Sequence, residues 1–367
     1  EVVVLLNRYR DTDMVYSDED KIYADGYLST PYFKPDWSPE ALLSRHYTGD
    51  FGVYRHSLLK EIGGFREGYE GSQDYDLVLR LTEKTGKIKH IAKILYHCRS
   101  GEPGATPDHP YSPAQASGAA KRVLEDALIR RQLQGTVVDA PGAAGHYVVR
   151  YEQAVEDLVS IIIPTKDLGA TLDKCLASVF NKTSYKNYEI ILVDNKTTEA
   201  DAIAVMQKWE RTFAGRLKRY VLDIPFNYST LNNFAVTKAQ GKYLVLLNND
   251  IEVITSDWLE ALMEYAQNDE IGVVGPKLLY PDDTIQHAGV IGGLGGIVAG
   301  HGHRLLPKDS PGYFNQLNTL NNYLALTGAC LMCRAEVYRE VGGLEERLAV
   351  AFNDVDFCFR LIQKGFR

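Results

Sequence analysis

Nine residues of this chain return in register at an offset of 279 or 280 positions. Thr48-Gly49, Arg55, Gly63-Gly64, Asp74, Asp76, Arg80 and Leu81 reappear as Thr327-Gly328, Arg334, Gly342-Gly343, Asp354, Asp356, Arg360 and Leu361. Solenoid repeats run to about 20 to 50 residues, so a period this long reads as two copies of one domain. Upstream of each copy stands a polar stretch bearing carboxylates: Ser17-Asp18-Glu19-Asp20 in the first and Asn248-Asn249-Asp250 in the second. The first copy is only a back half, with Asp13 to Tyr16 as the strand that enters its acidic triplet; its front half would precede Glu1. Three segments are therefore expected: residues 1–100 as the C-terminal part of a first domain, 101–156 as a linker with a helix, and 157–367 as a second domain. The chain opens inside an apolar segment and stops directly after a helical pattern, so it is expected to be a piece of a longer protein.

At 367 residues with 45% hydrophobic content, the chain can bury real cores in more than one domain. A net charge of -8 weighs against a nucleic-acid partner or a general anionic-membrane binder. No apolar run approaches 18 residues, so no spanning helix is expected, and peripheral membrane association stays open. Five cysteines, odd in number and sparse, fit a reducing compartment and hence the cytoplasm. Cys330 and Cys333 form a CxxC, but without a second pair and among apolar neighbours they read as structural thiols.

The second copy is read from the stretch Gly241 to Asp250. Tyr243 to Leu247 is too short for a helix and too apolar for a half-exposed strand, so it reads as a central strand buried on both faces. Its polar end then lies at a sheet edge, where α/β sheets bind their ligands. Val159 to Ile163, halted by Pro164, Tyr188 to Val193, and Leu217 to Leu222 read as further strands. The helical patterns between them imply an α/β fold with a mostly parallel central sheet. Ser256 reads as the cap of the helix after Asp250. Gly289 to Gly302 matches neither phosphate-loop spacing, leaving a mobile loop or bulged hairpin, with a substrate-covering loop as the alternative.

Polar strand ends at Thr165-Lys166-Asp167, Asp194-Asn195 and Asn248-Asn249-Asp250 should gather on one edge. Carboxylates and amides there suit a nucleoside, and a hard cation on Asp250 suits a diphosphate. Asp354 and Asp74 each open a helical pattern. A cap tolerates Ser, Thr or Asn, so Asp in both copies suggests a general base.

These motifs resemble the family 2 glycosyltransferases of GT-A fold, in particular bacterial proteins with two such domains in tandem. Val159 to Thr165, Glu189 to Asn195, Leu247 to Asp250, Gly342-Gly343-Leu344 and Asn353 to Asp356 carry the resemblance. It implies a Rossmann-like GT-A sheet, one domain nearly complete and the other a C-terminal half. The implied activity is inverting transfer of a sugar from a nucleotide-diphosphate donor to a glycan or lipid-linked glycan acceptor, in bacterial surface polysaccharide synthesis at the inner face of the cell membrane. Thr165, Asp167, Asp194, Asn233, Asn248 and Asn249 would hold the nucleoside, and Asp354 and Asp74 would be the bases. Asp250 would ligate Mg²⁺ or Mn²⁺ in the second copy, and Asp18, Asp20 and His97 in the first. The alternative is a non-catalytic nucleotide- or carbohydrate-binding scaffold of the same fold. A dehydrogenase is set aside, because Thr165 to Gly169 lacks a glycine fingerprint.

Overall fold

A computed structural model describes residues 1–99, 113–153, 156–296 and 298–367. The Pro- and Gly-rich part of the expected linker, residues 100–112, lies outside the described residues. The chain divides into two compact units, one made of Glu1–Tyr151 with Ser310–Asn322, the other of Glu152–Asp309 with Tyr323–Arg367.

In the first unit, α1 (Val2–Arg8) precedes β1 (Met14–Ile22), β2 (Leu28–Tyr32), α2 (Pro39–Leu42), β3 (Gly52–Tyr54), α3 (His56–Glu61), α4 (Gln73–Thr82) and β4 (Ile88–Arg99). Strand β1 is central: β4 runs parallel along one side, while β3 and β2 pair antiparallel with its first and last residues on the other. The acidic triplet expected at a strand end therefore lies inside β1, which pairing on both sides extends to Ile22. Then come α5 (Pro113–Arg130), β5 (Gly135–Asp139) and β6 (Tyr147–Tyr151). Val123, Leu124 and Ala127 of α5 and Tyr147 of β6 share one core with Met14, Tyr16 and Leu79, so this part of the expected linker is built into the unit. Ser310–Asn322 also belongs here: Arg45 donates to Phe314 O, Thr319 Oγ1 and Asn321 Oδ1, and Phe314 stacks on Tyr32 at 4.0 Å.

The second unit begins as β7 (Val159–Thr165), α6 (Gly169–Lys182), β8 (Tyr188–Asp194), α7 (Ala200–Thr212), β9 (Leu217–Val221), α8 (Tyr228–Val236), β10 (Tyr243–Leu247) and α9 (Trp258–Ala266). Two hairpins follow, β11 (Leu278–Leu279) with β12 (Ile285–His287) and β13 (Val290–Gly292) with β14 (Ala299–His301). Then come β15 (Cys330–Arg334), α10 (Ala335–Glu340) and α11 (Asn353–Gln363). The sheet order is β15-β10-β7-β8-β9, parallel except for β15. Every residue of β7, β8 and β10 is buried, because α6, α7 and α9 cover one face and α8, α10 and α11 the other.

Pro164 does not halt β7. The ladder to β8 continues through Thr165, and the missing proline N–H falls on the β10 side, beyond the last paired residues Leu246 and Ile162. Nor does Ser256 cap α9, which starts after Asp257. Cys330 packs into the core on one face of the sheet and Cys333 into the core on the other, so the CxxC cannot close on one ligand. Burial pushes both thiols up to about 12, which leaves them inert at neutral pH.

At the entry end of the sheet sits a polar knot that the apolar pattern conceals. Glu189 Oε1 accepts from Ser160 Oγ and Gln240 N, Glu189 Oε2 accepts from Lys218, and Ser160 Oγ accepts from Gly241 N. Burial alone would raise the Glu189 carboxyl; Lys218, Gln240 and Ser160 together hold it below its usual value. A depressed carboxyl contributes stability above the unfolded value of 4.5 and loses it as pH falls through the lower folded value. Urea unfolding should therefore find Glu189→Gln less stable by about 1–3 kcal/mol at pH 7, with the gap from wild type closing on acidification below pH 4.5.

Candidate functional site

The carboxyl ends of the second unit's strands carry a continuous polar row. Thr165 closes β7 and stands in register beside Asp194, the last residue of β8. Asn249, just past β10, donates from Nδ2 to Thr165 Oγ1 at 3.0 Å. Asn248 N donates to Ala329 O at 2.9 Å, which ties the row to the start of β15, and the adjacent Gly328 N donates to Asp354 Oδ2 at 2.9 Å. With neighbouring strands about 4.8 Å apart, the row crosses β8, β7, β10 and β15 over roughly 14 Å, enough for an extended ligand.

Asp354 lies in the first turn of α11, one residue after Asn353, where the helix dipole favours its charge. Its carboxylate is oriented by two amides, Gly328 N on Oδ2 and Val355 N on Oδ1 at 2.8 Å. Tyr228 joins it from α8, its hydroxyl donating to Gly328 O at 2.7 Å. Burial raises the Tyr228 phenol, and the Asp354 and Asp250 carboxylates push it further the same way. Both acids thus act electrostatically on one hydroxyl, and nothing in the sequence around Tyr228 advertises that.

The repeat separates into scaffold and site. Arg80 reaches Asp76, Ile62 O and Gly64 O, and Arg360 reaches Asp356 and Val341 O, so each Asp-Arg pair fastens its own Gly-Gly turn to its own helix. Arg55 and Arg334 bind backbone carbonyls, and Leu81 and Leu361 fill cores. What remains is Thr327-Gly328 with Asp354, and those residues meet at the strand edge.

Not every expected residue faces the edge. Asn233 Oδ1 accepts from Tyr338 Oη and Leu344 N, and its Nδ2 donates to Leu344 O and Glu346. All four hydrogen-bonding positions are engaged, so Asn233 holds the Gly343 turn; a Cβ on Gly343, at φ +71°, would lie 2.6 Å from that Oδ1. Asp167 accepts from Thr198 N and Glu199 N, which lower its carboxyl and make it a loop cap beside the row. Asp194 accepts from Thr197 N at 2.7 Å and lies 3.7 Å from Arg219. Two residues outside the expected set stand near Asp354: His287 Nε2 accepts from Thr327 N, and its Nδ1 lies 2.9 Å from His301 Nδ1.

In the first unit, Asp20 of β1 and His97 of β4 are register partners and hydrogen-bond directly. Asp18 departs from expectation. It is 3% exposed, and its Oδ1 holds Lys34 N and His90 Nε2, each at 2.8 Å, so it is a structural acceptor and not a free ligand. Glu19 is taken by Lys34, whose ammonium also donates to Thr48 O. Burial raises the Asp74 carboxyl and Asp50 adds to the rise, which makes Asp74 a stronger base than an isolated Asp.

Among the described residues no three His, Cys, Asp or Glu side chains are grouped to hold a metal ion by themselves, so a cation here would need ligands from the substrate. Asp250 is exposed and has no hydrogen-bond or ion-pair partner among the described residues. One carboxylate is a sparse set, yet Mg²⁺ sites of one or two carboxylates completed by substrate phosphates are ordinary. Asp20 with His97 offers an oxygen and an imidazole nitrogen.

The family model described as glycosyl transferase family 2 matches residues 160–342. An uncharacterized protein, y4gI, of Sinorhizobium fredii is 42% identical over 371 residues, covering 100% of this chain and 40% of that protein. The O-antigen biosynthesis protein RfbC of Myxococcus xanthus is 39% identical over 370 residues, covering 100% of this chain and 28% of that protein. The chain thus spans less than half the length of either relative. Among solved structures, a mannosyltransferase of Pyrobaculum calidifontis in complex with GDP-Man and Mn²⁺ aligns with a TM-score of 0.44 and 15% identity, over 70% of this chain and 63% of that one.

Asn233→Ala should destabilise the second unit by about 1–3 kcal/mol in urea unfolding, because Leu344 N and Tyr338 lose their shared acceptor. Whatever thermal shift UDP or GDP with Mn²⁺ produces in the wild type should be the same in the variant; a lost shift with intact stability would instead assign Asn233 to the ligand.

Proposed function

Through residues 160–342 the chain belongs to glycosyl transferase family 2, and from that membership we propose that the second unit transfers a sugar from a nucleotide-diphosphate donor to an acceptor hydroxyl with inversion. The observation that carries this reading is the polar row itself, which runs from Asp194 through Thr165 and Asn249 to Gly328 and Asp354 on one sheet edge.

The nucleoside lies against Thr165, Asp194 and Asn249 at the β7 and β8 end. The diphosphate lies over Asn248 and Asp250, next to which a bound Mg²⁺ or Mn²⁺ would neutralise charge on the leaving group. Asp354 receives the acceptor's proton. The freed oxygen forms a bond to the anomeric carbon from the face opposite the diphosphate, the bond to the diphosphate breaks, and the nucleotide leaves with that electron pair. The Gly328 and Val355 amides keep the carboxylate from rotating away from the hydroxyl. In the first unit, Asp74 takes the same role and Asp20 with His97 the cation.

The acceptor proposed is a glycan or lipid-linked glycan, and the setting bacterial surface polysaccharide synthesis, in keeping with the O-antigen biosynthesis relative. No helix among the described residues is long and apolar enough to cross a membrane.

In the full-length protein, a panel of nucleotide sugars with and without Mn²⁺ should reveal the donor by a raised melting temperature. Asp354→Asn should then retain that shift but lower transfer by about 10²–10⁴-fold, and Asp74→Asn should do the same for the first unit's reaction. Undiminished transfer in both variants rejects the base assignment. Tight nucleotide binding in the wild type with no turnover supports the scaffold reading instead.

A further inference from the structure

The histidine pair is the best-built polar feature that the proposed reaction leaves unused. His287 ends β12 and is 1% exposed; His301 ends β14 and reaches the surface. The turn between His287 and β13 depends on Gly289, at φ +98°, where a Cβ would fall 2.3 Å from the Tyr323 ring. That turn aims Gly289 N at His287 Nε2, and Thr327 N points at the same atom, both at 3.4 Å.

Two N–H groups directed at His287 Nε2 make that nitrogen the acceptor, so the ring proton resides on Nδ1. The Nδ1 proton is then donated to His301 Nδ1 at 2.9 Å, across rings set at 89°. With Nδ1 of His301 accepting, its own proton is confined to Nε2. The chain of donors thus runs from backbone to buried ring to surface ring, and ends in an N–H whose tautomer is fixed.

Asp354 is close enough to His301 to act electrostatically on its ring. The consecutive amides of Thr327 and Gly328 bind His287 and Asp354 respectively. The β13–β14 hairpin is seated on α11, with Val290 and Ala299 in one apolar cluster with Ala325, Val355 and Cys358. We propose that His301 uses its fixed Nε2–H to bind an oxygen of the acceptor sugar next to Asp354, with His287 as the positioning residue that locks the tautomer.

Burial, reinforced by His301, lowers His287 to about 3. Partial burial also holds His301 below the ordinary imidazole range, with the attraction of Asp354 working against it and Arg304 adding to it. Both rings are therefore neutral at neutral pH. A neutral donor suits a hydroxyl oxygen better than a phosphate, which places the contact on the acceptor side.

The inference rests on the reading of Asp354 as the acceptor-side base, and two measurements separate the two. Imidazole ¹⁵N NMR, assigned with His287→Gln, should show His287 protonated on Nδ1 and His301 on Nε2; the reverse tautomer on either ring overturns the relay. In the full-length protein, with p-nitrophenyl hexosides as acceptors, His301→Ala should raise the acceptor KM about tenfold, the loss of one hydrogen bond, with the donor KM unchanged. His301→Gln, which retains an N–H donor, should recover part of it. An unchanged acceptor KM, or a raised donor KM, rejects the role of His301 even when Asp354→Asn abolishes transfer. Transfer that survives Asp354→Asn overturns the base assignment and the acceptor contact with it.

Discussion

The burial of β10 on both faces is the condition from which the rest of the second unit follows. Tyr243 to Leu247 alternate between two cores, Val245 and Leu247 on one side and Leu244 and Leu246 on the other. No side chain on such a strand can be polar without a partner, so polar groups are pushed beyond its last residue. The same pressure acts on β7 and β8, and the three polar termini emerge together because the strands are parallel and in register. The lower end is closed by the Glu189 knot, which satisfies the few polar groups that enter the layer. Chemistry is left with the upper edge.

The repeat shows how one motif serves two ends. Most of it secures a short antiparallel strand, a Gly-Gly turn and a helix into a rigid corner, through arginines that bind carbonyls. Only the Thr-Gly pair and one aspartate reach the edge. The copies then diverge. In the first unit the acids are absorbed into β1, because β2 and β4 keep pairing past them, and Lys34 and His90 hydrogen-bond two of the three positions. In the second unit β10 ends at Leu247, and Asn248 and Asn249 take the positions that would otherwise need such partners. Of the acids at these positions, Asp20 is paired with His97 and Asp250 has no hydrogen-bond or ion-pair partner among the described residues.

The strands and helices of the second unit were legible because burial on two faces forces continuous apolar runs, and helices between them repeat every three to four residues. The placement of Asp354 in a first helical turn was legible because Asp74 opens a helix in the same way. What the sequence could not show for Asn233 and Asp18 is that their side chains hydrogen-bond partners distant in sequence, Leu344 in one case and His90 in the other. The sequence likewise could not show that two backbone amides, Thr198 N and Glu199 N, donate to the Asp167 carboxylate. His287, His301 and Tyr228 carried no spacing to detect, since each is brought to Asp354 by a different element.

From the sequence by itself came the α/β class and the parallel strands of the second unit, products of local periodicity, together with the repeat that pairs Asp74 with Asp354. Only the tertiary structure decided which polar groups remain available. Hydrogen bonding between residues far apart in the chain settles that question, and periodicity is blind to it. The apolar residues reveal where the edge must be; the long-range partners of Asp18, Asn233 and His287 determine what the edge has left to offer.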